Sequence, residues 1–180
     1  MTKRIVLIGG PSTGKTTLLN ALRAKGHTCL DEVSREVTKA AQEKGVDQLF
    51  LTQPLLFSQM LLDKRIEQFT LAPSLNKDLV FIDRGIPDVT AYMDFIGQEY
   101  PENFKKACLD YKYDHIFILP PWQDIHTTDQ ERYESFDEAV NIQNELIKTY
   151  KAFGYSPIEV PKTSVDERVN FILQNLDICR

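Results

Sequence analysis

The stretch from Arg4 to Thr17 constrains this chain more than any other. Ile5-Val6-Leu7-Ile8 is a short apolar, β-branched run of the kind that forms a strand buried on both faces, and it leads directly into Gly9-Gly10-Pro11-Ser12-Thr13-Gly14-Lys15-Thr16. This is the G-x-x-x-x-G-K-[ST] pattern. Leu18, Leu19 and Leu22 then fall on one face of a helix that Gly26 can end. Strand, glycine loop and helix in this order build an anion cradle. Gly9 and Gly14 let successive main-chain N–H groups turn inward towards phosphate oxygens, and the helix N-terminus adds partial positive charge. Lys15 can reach β- and γ-phosphates, and the Thr16 hydroxyl can complete the coordination of Mg²⁺. Residues Gly9, Gly10, Pro11, Ser12, Thr13, Gly14, Lys15, Thr16 and Thr17 are therefore the expected nucleotide-binding loop.

Composition narrows the field around that loop. With 180 residues, 42% hydrophobic and 26% charged, the chain is an ordinary globular sequence, expected to form one domain over 1–180. Its strongly apolar runs fall far short of the ~18 residues of a membrane span. The run after Lys3 and Arg4 ends within four residues, too short for a signal-peptide core, so no export signal is expected. Cys29, Cys108 and Cys179 are widely spaced without a C-x-x-C pair, which fits a reducing, cytoplasmic setting and suggests neither disulfides nor zinc. His27, His115 and His126 show no ligand spacing. The net charge of -5 is uneven: residues 1–90 carry 12 basic and 10 acidic side chains, residues 91–180 carry 9 and 16. An acidic second half disfavours a nucleic-acid groove. An anionic ligand would favour the first half.

Short apolar runs alternate with helical patterns along the chain. Strands are expected at Arg4 to Ile8, Thr28 to Leu30, Leu79 to Ile82, Ile116 to Leu119 and Ile158 to Val160. Such alternation implies an α/β fold with a parallel sheet covered on both faces and ligands at the strands' carboxyl ends. The second connection is long. It is expected to be a helical, substrate-covering segment over about 33–78, with an amphipathic helix at 52–69 presenting Leu55, Leu56, Met60, Leu61, Ile66 and Phe69. Ser135 with Glu138, and Ser164 with Glu167, have the form of capping boxes that open helices. The polar stretch over about 121–135 reads as a lid whose Arg132, its only cation, could stabilise a transition state. A solvated acidic loop is the plain alternative.

The candidates for chemistry occupy strand ends. Asp83 can bind Mg²⁺ or orient an attacking hydroxyl, and Arg84 can neutralise a transferring phosphoryl group. Asp31, Glu32 and Arg35 can project towards one acceptor, although Glu32 and Arg35 also suit a surface pair one turn apart. Asp88 can reach the acceptor or act only as a favourable acid at a helix start. The guanine signature N-K-x-D is absent, so ATP is expected and GTP remains an alternative. Topology places Pro161 to Val165 near the base, while Ser164 already has its capping role.

These landmarks together resemble P-loop ATPase-like proteins of the AAA superfamily, similar to the ribosylnicotinamide kinase domain of a bacterial NAD regulator. The resemblance rests on Gly9 to Thr17, Asp31-Glu32 with Arg35, Asp83-Arg84-Gly85-Ile86-Pro87-Asp88, Pro120-Pro121-Trp122, Thr128 to Arg132 leading to Ser135-Phe136, and Gly154-Tyr155 leading to Val160-Pro161. It implies a P-loop NTPase of kinase-like, three-layer architecture, with a five-stranded parallel sheet in the order 2-3-1-4-5. It also implies an ATP- and Mg²⁺-dependent phosphotransferase acting on a small nucleoside- or nucleotide-like acceptor. The alternative is a nucleotide-binding regulatory ATPase or GTPase switch with slow hydrolysis and a protein partner; the partner in either case can be a second protein or a further copy of the chain.

Overall fold

Alternate residues of the central strands point to opposite sides, and both sides are apolar, so the sheet is sandwiched between two helical layers. The computed structural model describes residues 1–43, 45, 46, 48–125 and 135–177. Five parallel strands, β1 (Lys3–Ile8), β2 (Thr28–Leu30), β3 (Leu79–Asp83), β4 (His115–Ile118) and β5 (Ile158–Glu159), lie in the order β2-β3-β1-β4-β5. This is the expected order. The central position of β1 follows from its composition, since Ile5, Val6, Leu7 and Ile8 have no exposed surface.

On one face, Ile5, Leu7, Phe81 and Phe117 pack against α1 (Lys15–Ala24) and α8 (Val165–Asp177). On the other, Val6, Ile8, Val80, Ile82, Ile116 and Ile118 join a core with α2 (Ser34–Glu43), α3 (Leu49–Thr52), α4 (Pro54–Leu71), α5 (Pro87–Phe95), α6 (Glu102–Asp110) and α7 (Phe136–Ala152). No helix among the described residues is long and apolar enough to cross a membrane.

The sequence reading is corrected in the long connection. The helix expected at 52–69 is present as α4 with its bounds shifted: α3 ends at Thr52, and α4 opens with Pro54 as its first residue and runs to Leu71. Of the face expected for this helix, Leu61 is in the core and Met60, Ile66 and Phe69 pack against it. Leu55 and Leu56 are exposed, and Phe57, Ser58, Leu61, Leu62 and Arg65 turn inward. Both capping boxes are formed, with Ser135 Oγ accepting from the Glu138 N–H at 3.2 Å and Ser164 Oγ accepting from the Glu167 N–H at 3.3 Å. Of the segment expected to be a lid, Pro121, Trp122 and a 3₁₀ turn at Gln123–Ile125 are described. Arg132 and residues 126–134 lie outside the described residues.

Candidate active site

The glycine loop leaves the carboxyl end of β1 under tight steric control. Gly9 has φ 148°, and a Cβ there would lie 2.6 Å from the Leu119 carbonyl oxygen, so only glycine lets the loop pass β4. Gly14 caps α1 with φ 84°. Thr13 Oγ1 donates to the Gly10 carbonyl at 3.0 Å and tightens the turn. Lys15 is buried, and its Nζ donates to the carbonyls of Gly9 at 2.9 Å and Gly10 at 2.7 Å. Burial, aided by Arg84, brings its pKa down to about 7, although Asp83, Glu32 and Asp88 act in the other direction. An ammonium held in a glycine loop and surrounded by main-chain dipoles fits a polyphosphate. Thr16 and Thr17 are exposed on the first turn of α1.

Asp83 ends β3 beside Leu7 of β1, and the main-chain N–H of Arg84 donates to the Leu7 carbonyl at 3.0 Å. Only 5% of Asp83 is exposed, and its Oδ1 has no hydrogen-bond partner. Burial pushes its carboxyl above the usual range, against Lys15 and Arg84, which favour ionisation. A buried carboxylate oxygen without a partner fits a cation or a hydroxyl. Among the described residues no group of three or more His, Cys, Asp or Glu could hold a metal.

Arg84 has φ 68°, a left-handed conformation that is uncommon for a side chain of its size. The turn directs its guanidinium back over the loop, where Nη1 donates to the Gly9 carbonyl at 3.2 Å and lies 3.5 Å from Asp88 Oδ1. Its Nε is paired with Glu32 Oε2. Burial lowers the Arg84 pKa, but Glu32, Asp88 and Asp83 outweigh it and raise it.

Glu32 follows β2 and links Arg84 to Arg65 of α4. Its Oε1 accepts from Arg65 Nη2 at 3.2 Å and from the Ser34 N–H at 3.1 Å. Burial would raise its pKa, yet Arg65 and Arg84 hold the carboxyl below its ordinary value.

The structure thus separates Asp31 from Glu32. Glu32 turns inward to Arg65 and Arg84, whereas Asp31 is exposed and pairs with Arg23 of α1 at 2.7 Å. Arg35 is exposed on α2. Asp88 is buried at the start of α5, with Oδ2 accepting from the Gly85 N–H at 2.8 Å and Tyr150 Oη at 2.6 Å. Its oxygens are used within the protein, bracing the turn that carries Asp83 and Arg84. Ser164 sits in its capping box.

Sequence reasoning missed Arg65. It is only 3% exposed, and besides Glu32 its Nη1 reaches the Gly85 carbonyl at 3.0 Å. A signal was present: Phe57, Leu61 and Arg65 recur every fourth residue, so the guanidinium occupies a position on the apolar stripe.

The sequence model of an AAA domain family matches residues 4–168. No curated protein sequence matches the chain significantly. Among solved structures, a NadR protein in complex with NR superposes with a TM-score of 0.70 at 20% identity, covering 96% of this chain and 49% of that one. The chain thus spans about half the length of that protein. Thymidylate kinase from Candida albicans gives 0.65 at 16% identity, over 98% and 92% of the two chains. Deoxyadenosine kinase from M. mycoides with bound dATP gives 0.62 at 13% identity, over 97% and 99%. The likeness is one of fold, that of P-loop, kinase-like proteins.

Proposed function

This chain belongs to the AAA domain family, and from that premise we propose that it is an ATP- and Mg²⁺-dependent phosphotransferase. It would transfer the γ-phosphoryl group to a small nucleoside- or nucleotide-like acceptor beneath the connection between β2 and β3. One observation carries the reading: Glu32, Arg65, Arg84 and Asp83 form a buried cluster of acids and guanidinium groups beside Lys15. Water attacking a nucleotide needs no such cluster, whereas a hydroxyl or phosphate acceptor is held by hydrogen-bond acceptors and forked cations. The solved neighbours support this, since one is a NadR protein in complex with NR and two are a deoxyadenosine kinase and a thymidylate kinase.

In this reading the main chain from Gly9 to Thr17 cradles the phosphates. Lys15 leaves its loop carbonyls for the β- and γ-phosphates. Thr16 and Asp83 would hold Mg²⁺, which neutralises phosphate charge when bound. Glu32, kept ionised by its two guanidinium partners, accepts the acceptor's hydroxyl hydrogen and orients its oxygen for in-line attack. The bond from γ-phosphorus to the ADP oxygen breaks as the bond to the acceptor oxygen forms, and the hydroxyl proton passes to a carboxylate. Arg84 stabilises the equatorial oxygens during transfer. Arg132 is proposed to add a second cation from the lid, Arg35 to act at the rim of the acceptor site, and Asp88 to brace the turn that carries Asp83 and Arg84, whereas Asp31, turned to Arg23, takes no part.

The test is ADP production from Mg-ATP with and without a panel of nucleosides, nucleotides and ribosyl-pyridines. A rate that rises manyfold with one class of acceptor supports the kinase. Tight nucleotide binding with slow turnover that no acceptor stimulates supports a switch instead.

A further inference from the structure

Arg168 lies outside the site residues considered so far, yet it touches the glycine loop. It belongs to the first turns of α8 and is only 4% exposed. Its Nη2 donates to the Thr13 carbonyl at 3.0 Å. Its Nη1 lies so close to Gly14 that a Cβ there would be 3.0 Å away, which gives Gly14 a second reason to be glycine besides its φ of 84°. The Nε is buried and makes no hydrogen bond. Among the described residues no acidic side chain acts on the guanidinium, and burial alone lowers its pKa. A buried cation without a counter-charge is costly unless something anionic completes it.

The placement follows from the helix. The Ser164 capping box sets the start of α8, and Val169, Ile172 and Leu176 seat it in the same core as Leu18, Leu19 and Leu22 of α1. Arg168 then faces the amino end of α1.

In a trans peptide the C=O and N–H groups point in opposite directions. A guanidinium that holds the Thr13 carbonyl on the outer side of the loop therefore directs the Gly14 N–H to the opposite, inner side. The same hydrogen bond polarises the peptide and strengthens that donor. We propose that Arg168 is a positioning residue of the anion-binding loop: it fixes the Thr13–Gly14 peptide for phosphate and adds positive charge behind it. The ligand it serves is the polyphosphate of a nucleotide, irrespective of the base. This inference rests on the nucleotide-binding reading given above.

The experiment is calorimetric titration of wild type, R168Q and R168K with Mg-ATP and with inorganic tripolyphosphate, alongside thermal melting. R168Q is expected to weaken both ligands by a similar factor, roughly ten- to a hundredfold, with R168K between it and wild type. Unchanged affinities with a lowered melting temperature would make Arg168 merely structural and overturn the proposal. Weakened ATP with unaltered tripolyphosphate would place it at the base and overturn it equally. Should R168Q not fold, R168K carries the test, because lysine keeps the charge and loses the fork. A severalfold loss on both ligands supports the proposal, and wild-type affinity contradicts it. Wild-type protein that binds neither ligand removes the nucleotide reading itself and this inference with it. Binding by wild type and R168Q alike removes only the inference.

Discussion

Lys15 offers the sharpest test at the residue scale, because its ammonium is buried and titrates near neutrality, at about 7. A bound polyanion favours the charged form, so binding above that pH must take up a proton. Triphosphate affinity should therefore fall as pH rises from about 7 to about 9. Titrations at about pH 8 in buffers of different ionisation enthalpy should show uptake approaching one proton, and K15M should abolish it. Proton release, or affinity independent of pH, would contradict this. Asp83 separates binding from turnover. D83N should lower acceptor-dependent turnover by roughly a hundredfold or more while changing nucleotide affinity only a few-fold. An effect confined to thermal stability would reduce Asp83 to a structural acid. Glu32, Asp83 and Arg84 were legible in sequence because they stand at the ends of recognisable strands. The division between Asp31 and Glu32 was not, since adjacent residues leaving a strand point to opposite sides and nothing local says which side holds Arg65.

At the scale of elements, α4 and the turn between β3 and α5 govern the pocket. Helical periodicity revealed α4, but Leu55 and Leu56 suggested a face that the fold leaves exposed, because Arg65 occupies a place on the buried stripe. R65M should cost about 3 kcal/mol in denaturant unfolding through loss of a buried pair. It should also raise the acceptor KM with little change in ATP affinity. A change in ATP affinity alone would contradict the pocket described. In the turn, a Cβ on Gly85 would meet Tyr150 Oη at 2.5 Å and Tyr113 Cε2 at 3.0 Å. G85A should destabilise by about 1–3 kcal/mol through overpacking. Y150F removes both the obstructing oxygen and the hydrogen bond to Asp88, at a cost of about 1–3 kcal/mol. The double variant should therefore lose clearly less than the sum. Strict additivity would mean that the three groups are not coupled.

For the whole molecule, local pattern revealed five strands and the loop that follows the first, but their order is a matter of long-range pairing that no periodicity encodes. The order β2-β3-β1-β4-β5 entered the sequence reading through resemblance, and the structure has it. Arg168 illustrates the same limit: it is 155 residues from Thr13 in sequence and becomes its neighbour only when α8 packs beside α1. Its hidden signal matches that of Arg65, a cation in step with Ile172 and Leu176 on a buried stripe. The architecture brings three distant segments, ending β1, β2 and β3, around one ammonium and one free carboxylate oxygen. In the function proposed, this assembly transfers a phosphoryl group to a small acceptor and does not merely release it. The most direct measurement follows γ-labelled ATP in the presence of the stimulating acceptor and asks where the label goes. Label is expected on the acceptor in proportion to ADP formed, both being lost in K15A; label found only as inorganic phosphate, whatever the acceptor, would rule out transfer.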